Sequence, residues 1–428
     1  MLRLRHIFSI LFIILMVFLP IGKRPIVNYI DEIMTGLFIG LALLDCIINR
    51  RWKSYKFFWI TFGIIWFYLA YTLLFQHYNK PSNILMDAFI EFKSIFAFAV
   101  IFGAGCTLSD LNKNFTKYVC ATLATINSIV LLCGYHAQTM VSGHPAESGM
   151  TQYLCVMLFL LISLDSNLRW NKRDMVLALI WLIIGLCCGR SKYYAEFVLT
   201  LFFLFIYRPG ILRHFKLKHA ILIISLCLIV IAVVWKKFSY YYITGNSDTF
   251  DPNVAASYAR PVLYLTGWLL LIDFFPFGSG FASFATYASQ SNYSTLYYEY
   301  NLDKIWGLSP SYPNFICDGY YPSLAQFGFV GLVLFVCFWR FIYNRIRIYI
   351  HLKNGEYINY FKISTLLILF ILIECTSGTC FTNPSGFITM ILLGMLCRQV
   401  VNLQGDVHDN HEGLFNELKH TETKRITI

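Results

Sequence analysis

The sequence predicts an all-α polytopic membrane protein with about twelve transmembrane helices and one large loop on the outer face. The 428 residues are 57% hydrophobic and only 13% charged, whereas a soluble protein of this length carries about 25% charged residues. Apolar runs of about 20 residues, the length that crosses a bilayer as a helix, follow one another along almost the whole chain. The loop interrupts this succession before the last few runs.

The apolar runs and the polar stretches between them divide the chain into four regions. The predicted spans cover residues 6–22, 30–49, 57–75, 84–104, 116–134, 150–166, 174–190, 193–207, 219–235, 323–343, 361–380 and 384–402. The regions are membrane helices 1–9 in residues 1–235, a large outer loop in 236–322, membrane helices 10–12 in 323–402 and a tail in 403–428. A basic start without a small-residue cleavage site indicates that the first run is a retained helix. The polar tail is predicted to be short and poorly ordered.

The basic residues test the alternation of these spans. With the N-terminus inside, most of the 34 Lys and Arg residues fall in inner segments, for example Arg50, Arg51 and Lys53. This asymmetry is the positive-inside bias, and it predicts that both termini lie in the cytoplasm. The bias also accounts for the net charge of +11, so no nucleic-acid partner is expected.

The longest hydrophilic segment is the outer loop, which is rich in Tyr, Ser, Asn and Gly. Within it, residues 259–275 form an amphipathic stretch that Arg260 opens and Pro276 follows. This pattern predicts a helix that lies on the membrane surface or dips into it.

Two arginines at the outer face are candidates for binding an anion. Arg190 lies at the outer end of the seventh span, and its guanidinium can hold a phosphate with a two-pronged fork. The structural alternative is a snorkelling anchor in the lipid interface. Arg260 opens the loop helix and opposes its dipole, a conflict that a bound anion would offset. An exposed loop arginine is the alternative there.

Two further motifs carry polar groups toward the outer face. Pro276-Phe-Gly-Ser-Gly-Phe predicts a tight turn with exposed backbone amides. Asp318 precedes Gly-Tyr-Tyr and can act as a general base toward a sugar hydroxyl, or it can be an ordinary turn aspartate. Inside the fourth span, Asp87 and Glu91 share one helix face near Lys93 and predict an internal polar network.

Several chemistries have no support in the sequence. The cysteines form no Cys-x-x-Cys pair and the outer histidines lack metal-ligand spacing. No nucleotide motif or serine-nucleophile elbow occurs. We therefore predict no metal, no cofactor and no nucleotide-sugar chemistry.

The motifs, taken in order, resemble those of the O-antigen polymerase and O-antigen ligase superfamily of the bacterial inner membrane. Gly-Arg-Ser at the end of a span comes first, then Arg260 with Trp268 and Pro-Phe-Gly-Ser-Gly. Asp-Gly-Tyr-Tyr before Gln-Phe-Gly-Phe-Val-Gly comes last. The motif-bearing part is residues 180–335, and the flanking spans agree with the family in number and spacing.

The resemblance implies a GT-C-like helical bundle that transfers glycans at the periplasmic face of the inner membrane. The donor in this family is an oligosaccharide on undecaprenyl diphosphate, and a chain-length regulator and a flippase are the implied protein partners. By position, Arg190 and Arg260 correspond to the family's donor-binding arginines, with Arg260 also expected to be catalytic. Lys192 is expected to join them in binding substrate.

The resemblance also gives roles to the Asp-Gly-Tyr-Tyr motif. Asp318 is the expected base or acceptor orienter, and Tyr320 and Tyr321 are expected to contact the substrate. Further tyrosines could stack on sugars or anchor the loop in the interface: Tyr297, Tyr298 and Tyr300.

One departure distinguishes the branches of the superfamily. Ligases usually carry a His-Asn pair where this chain has Cys317-Asp318. The pattern therefore favours a polymerase, with an O-antigen ligase as the first alternative. A polysaccharide flippase or other transporter is the second alternative. Transporters tend to place charges deep in the helix bundle, whereas the candidate charges here cluster at one face beside a large outer loop, which favours an enzyme.

Overall fold

The computed structural model describes residues 4–19, 29–209, 228, 235 and 259–425. These ranges contain helices, turns and two isolated β-bridges, without a strand. Apart from residues 228 and 235, the predicted ninth span and the first part of the outer loop, residues 219–258, lie outside the described residues.

The helices of eight or more residues follow one another closely up to residue 201 and again after residue 259. In chain order they are α1 (Leu4–Phe18), α2 (Ile30–Asn49), α3 (Lys56–Phe75), α4 (Pro81–Ala104), α5 (Lys113–Leu132), α6 (Tyr135–Ser142), α7 (Pro145–Ile162), α8 (Lys172–Gly185), α9 (Ser191–Leu201), α10 (Ala259–Asp273), α11 (Gly328–Arg347), α12 (Ile358–Glu374) and α13 (Pro384–Arg425). Short helices occupy Tyr287–Ser291, Leu296–Glu299, Tyr320–Ser323 and Leu324–Phe327.

The predicted all-α membrane fold is confirmed at the level of class. Within the described ranges, six helical stretches are long and apolar enough to cross a membrane: Trp52–Phe75, Lys113–Leu132, Pro145–Ile162, Tyr320–Ile350, Ile358–Ser377 and Pro384–Gly405. Helix α4 carries three charged side chains and α8 has 14 residues, so neither meets the same standard. The count of about twelve spans and the outer position of the loop stay predictions.

Local signals explain where the helices begin and end. Pro81 occupies the first turn of α4, where its missing N–H is not needed, and Gly105 ends the helix at φ 80°. Asn112 caps α5 by accepting a hydrogen bond from the Phe115 amide at 3.2 Å. The His144 ring does the same for α7, accepting from the Ala146 amide at 3.2 Å.

The bundle is centred on α7, which is buried along almost its whole length. Helix α7 packs against α5 and α8, while α4 packs against α13, α3 and α2. A helix that is apolar all round and buried on all sides belongs to the interior of a bundle. The two groups meet through α12 and α13, which contact α7 as well as α9 and α4.

The chain end differs from the prediction. Residues 403–425 were expected to be poorly ordered, whereas α13 continues without a break from Pro384 to Arg425. The segment has no proline, the residue that ends a helix most strongly, and its Leu, Glu and Lys residues favour helix. Polar composition alone therefore did not end the helix.

The described part of the outer segment, residues 259–327, has a small hydrophobic core of its own. Helix α10 matches the predicted amphipathic stretch and directs Leu263 and Leu270 into that core. Its opposite face exposes Trp268 (64%) and Ile272 (72%). An exposed apolar face of this kind is compatible with the predicted position in the membrane surface.

Candidate functional site

The first turn of α10 forms an ion pair with the Asp-Gly-Tyr-Tyr motif. The Arg260 guanidinium donates through Nε to the Asp318 carboxylate. Both side chains are partly open, with 31% and 21% of their surfaces exposed. The anion expected beside Arg260 is thus supplied by the protein itself, and the base expected at Asp318 is occupied by a cation in this structure.

Lys192 lies in the first turn of α9 and reaches the end of α12. Its ammonium pairs with the Glu374 carboxylate and donates to the backbone carbonyls of Glu374 and Ser377, each at 3.1 Å. A lysine ammonium has three N–H groups, and these three acceptors use them all. In this structure Lys192 therefore ties two helices together, and it is not open to a phosphate as sequence reasoning expected.

Residues 374–378, which we call the hinge segment, connect the two ion pairs. Tyr264, one turn after Arg260 on α10, donates its hydroxyl to the Thr376 carbonyl at 2.8 Å. Residues four apart share a helix face, so Arg260 is held beside the hinge segment by its neighbour. Lys192 contacts the same segment from the α9 side. The structure thereby brings α9, α10 and α12 together at one end of the bundle.

Arg190 lies two residues before Lys192, at this same end. Its Nη2 is 2.6 Å from Nε2 and 3.1 Å from Nδ1 of His144, the residue that caps α7. His144 is exposed, so the contact lies at the surface of the bundle. Sequence reasoning assigned His144 no role, because the outer histidines lack metal-ligand spacing.

The glycine turn after α10 is closed rather than open. The amides of Gly278 and Gly280 donate to the carbonyls of Phe274 and Gln326 at 2.8 and 2.9 Å, and the next amide, of Phe281, donates to Thr72 at 3.0 Å. The expectation of exposed amides is therefore wrong. Both glycines have positive φ angles, and side chains would not fit at either position. Gly278 packs against the start of α11 at Gly328, and Gly280 packs against Thr72 of α3.

Both tyrosines of the Asp-Gly-Tyr-Tyr motif make contacts inside the protein. Tyr320 is 3% exposed and its ring lies 5.0 Å from that of Phe381. Tyr321 donates its hydroxyl to the Leu372 carbonyl at 2.6 Å. Both side chains fix the motif against α12 and the turn after it, so contact with substrate would need them to move.

The three loop tyrosines, Tyr297, Tyr298 and Tyr300, differ in their burial and in their contacts. Tyr297 is fully buried, and its hydroxyl accepts from the Ala285 amide at 2.8 Å. Burial raises the pKa of this hydroxyl. Tyr300 donates to Asp273 at 2.6 Å, whereas Tyr298 has an exposed ring. The Tyr298 ring packs edge-on against that of Tyr293 at 5.4 Å, and stacking of these tyrosines on a sugar stays a prediction.

The internal polar network extends beyond the predicted one. Asp87 accepts from the Ala282 amide at 2.6 Å, which ties α4 to the glycine turn. Lys93 reaches α2, where it pairs with Asp31 at 2.7 Å and Glu32 at 2.5 Å. The charges of Asp87 and Lys93 both act on Glu91, so the network predicted on α4 also reaches α2. Lys93 and Asp31 are 3% and 0% exposed.

Within the described part of the chain, no group of three or more His, Cys, Asp or Glu side chains is placed to hold a metal ion. Two residues that sequence reasoning missed stand out: Glu374, the partner of Lys192, and Glu196, one turn along α9 from Lys192. Both are ionisable residues in apolar helices, a signal that deserved more weight. Neither protein-family models nor curated proteins give a match to this chain.

Proposed function

We propose that this protein is an O-antigen or similar surface-polysaccharide polymerase, a membrane glycosyltransferase of the bacterial inner membrane. It joins oligosaccharide repeat units carried on undecaprenyl diphosphate at the periplasmic face. The observation that carries the proposal is the Arg260–Asp318 pair beside the hinge segment. A partly exposed cation and a carboxylate lie together there, at the end of the bundle that also holds Arg190.

The two arginines suit a diphosphate ligand. Arg190 and Arg260 are each bound to a group at or near the surface, and a doubly charged diphosphate is a stronger acceptor than an imidazole or a single carboxylate. Guanidinium groups placed on the leaving diphosphate stabilise the charge that develops as the sugar departs. Lys192 acts indirectly, because it binds the hinge segment and keeps it against α9.

The ion pair also supplies a base when it opens. As the donor diphosphate takes over Arg260, Asp318 is released next to the reacting sugar. The Asp318 carboxylate then accepts the proton of the acceptor hydroxyl, whose oxygen forms a bond to the anomeric carbon of the donor. The bond from that carbon to the diphosphate breaks, and undecaprenyl diphosphate leaves with the bonding electron pair.

The test is a lipopolysaccharide gel of a strain that lacks the gene, complemented with wild type, Arg190→Ala, Arg260→Ala or Asp318→Asn. We expect the deletion strain and the Arg260 variant to carry a core with a single repeat unit. Lys304→Ala is the matched control, since this loop lysine contacts its own turn through Asn301. It should restore the full ladder.

The other outcomes separate the alternatives. A bare core with long polymer still attached to the lipid carrier would identify a ligase. A normal ladder in the deletion strain would exclude both enzymes. Asp318→Asn should lower turnover while donor binding is kept, and unchanged turnover in that variant would remove Asp318 from the mechanism.

The transporter alternative has one observation in its favour. Lys93, Asp31 and Glu32 form a charged cluster deep in the bundle, a place where transporters hold polar groups. A transporter would move the lipid-linked unit across a vesicle membrane without lengthening it. Incubation of proteoliposomes with a lipid-linked repeat unit distinguishes the two, because a polymerase gives longer chains.

A further inference from the structure

Glu196 is a buried carboxyl that lacks a hydrogen-bond donor among the described residues. It lies in α9 with 1% of its surface exposed. Among the described residues, no N–H or O–H group reaches either of its side-chain oxygens. An ionised carboxylate in such a place loses its hydration without gaining hydrogen bonds, which makes the charged form costly.

The polar group that Glu196 faces is another carboxyl. Glu374 lies at the end of α12, is 5% exposed and contacts Glu196 through its side chain. Lys192 already binds Glu374. If both glutamates were ionised, one ammonium would face two negative charges in a nearly water-free site, and the second charge would have no partner.

We propose that Glu196 holds a proton, which it donates in a hydrogen bond to the Glu374 carboxylate, and that this acid pair fixes Lys192 and the hinge segment in position. The neutral acid gives one of the two unpaired oxygens of Glu196 a partner and leaves one negative charge, on Glu374, against one positive charge, on Lys192. Glu196 is a positioning residue in this scheme, since it acts on the arginine site through the hinge segment.

The link to the arginine site rests on the proposed function and on two contacts. Lys192 donates to the backbone carbonyls of Ser377 and Glu374. Tyr264 of α10 donates to the carbonyl of Thr376, which lies between these two residues in the hinge segment. Ionisation of Glu196 would set two carboxylates against each other and loosen the hinge segment. The helix that presents Arg260 would then lose one of its contacts.

The titratable groups around Glu196 come from several elements. They are Lys192 and Tyr193 on α9, Cys188 just before it, Tyr153 on α7 and Glu374 on α12. Of these, Lys192 favours the ionised form of Glu196 by its charge, while Glu374 opposes it. The hydroxyls of Tyr153 and Thr200 share a hydrogen bond of 3.0 Å, so the Tyr153 hydroxyl has a partner other than Glu196.

The proton can be detected without any assay of transfer. Infrared spectra of the full-length protein in lipid nanodiscs separate the carbonyl band of a protonated carboxyl from the bands of a carboxylate. We expect the wild type minus Glu196→Gln difference at neutral pH to show a lost protonated band. Glu299→Gln, which changes an exposed loop glutamate, should show a lost carboxylate band.

A second variant guards against poor folding of the first. In Glu374→Gln, Glu196 becomes the only carboxyl beside Lys192 and should ionise, so the protonated band is again lost. Loss of a carboxylate band in Glu196→Gln, or a protonated band that survives in Glu374→Gln, overturns the proposal.

Transfer by the purified protein tests the positioning role. Glu196→Gln should retain kcat/KM within about threefold, because an amide donates to Glu374 as the acid does, whereas Glu196→Ala should lose roughly 10- to 100-fold. The wild type should lose activity at a lower pH than Glu196→Gln. Equal activity of the Ala variant removes the positioning role and leaves the infrared result standing. Absence of transfer in every variant, wild type included, counts against the polymerase alone.

Discussion

Two ion pairs in this molecule show how burial decides what a charge can do. Arg260 and Asp318 meet at the edge of the outer segment with 31% and 21% of their side chains exposed, whereas Lys93 and Asp31 meet inside the bundle with 3% and 0% exposed. Water can replace either partner of the outer pair. Neither partner of the inner pair can leave without stranding the other in a medium of low dielectric.

The comparison separates a pair that can be exchanged from one that is fixed. A ligand with phosphate groups can compete for Arg260 because that pair has little net stability to lose. The inner pair joins α2 to α4 and is part of the fold. Four experiments test this contrast and the packing around it.

The largest effect is expected at the inner pair. Lys93→Met leaves Asp31 and Glu32 without a cation, and breaking a buried pair in this way costs about 3–5 kcal/mol. The measurement is unfolding by SDS titration from detergent micelles. Lys56→Met, at the exposed start of α3, is the matched control. Adding Asp31→Asn to Lys93→Met should recover part of the loss, and a single variant as stable as wild type would show that the inner pair is not fixed.

For the Arg260–Asp318 pair we expect a small loss of stability and a large loss of activity. Arg260→Ala is expected to cost about 1 kcal/mol or less of stability, while transfer falls by about 10²–10³-fold, as on removal of a group that stabilises developing charge. Rate and SDS midpoint are measured on the same preparation. The exchanged pair, Arg260→Asp with Asp318→Arg, should regain stability without transfer. Recovered transfer in the exchanged pair would mean that the pair serves the fold alone.

The glycine turn should be intermediate. Gly278 has φ 82°, and an added Cβ would lie 2.5 Å from the Gln326 carbonyl oxygen. Gly278→Ala should therefore cost about 1–3 kcal/mol by overpacking, with some further cost from the left-handed backbone. Gly63→Ala on α3, with nothing within 4 Å of the added carbon, should be neutral or slightly stabilising. Equal SDS midpoints for the two variants would contradict the close packing.

The smallest effect concerns the thiol beside Asp318. Burial, followed by the charges of Glu91 and Asp87, raises the pKa of Cys317. A raised thiol pKa means that ionisation opposes folding as the pH rises, so the folded protein holds less of the reactive thiolate. Alkylation of Cys317 near pH 8, followed peptide by peptide, should be at least about tenfold slower than at an introduced Ser311→Cys. The two rates should converge in SDS, and equal rates in the folded protein would show an open thiol.

The helices could be predicted closely from the sequence, because apolar length and end signals are local. The predicted span 30–49 is α2, Ile30–Asn49, and the amphipathic stretch that Arg260 opens is α10. The partners of the charges could not be predicted. Arg260 and Asp318 are 58 residues apart, and Lys192 lies 182 residues from Glu374. A hydropathy profile shows that a charge in a span is costly, but it does not show which distant group balances that charge.

The same limit explains the wrong expectation for the glycine turn. Its sequence indicates the backbone angles, but it does not show that Thr72, Asp87 and the Gln326 carbonyl will accept hydrogen bonds from the amides. Sequence reasoning placed Lys93 near Asp87 and Glu91, but it could not show that α2 would bring Asp31 and Glu32 to Lys93. Ionisable residues inside apolar runs, Glu196 and Glu374 among them, were the strongest signals that went unused.

The contacts of the glycine turn also set a schedule for biogenesis. Asp87 and Thr72 are synthesised early, while their partners Ala282 and Phe281 lie 195 and 209 residues further along the chain. At 5–20 residues per second, the ribosome needs roughly 10–40 s to deliver them. Until then the Asp87 carboxyl lacks the amide that it binds in the folded protein. The contact between α4 and the glycine turn therefore forms late in synthesis, after α4 itself has been made.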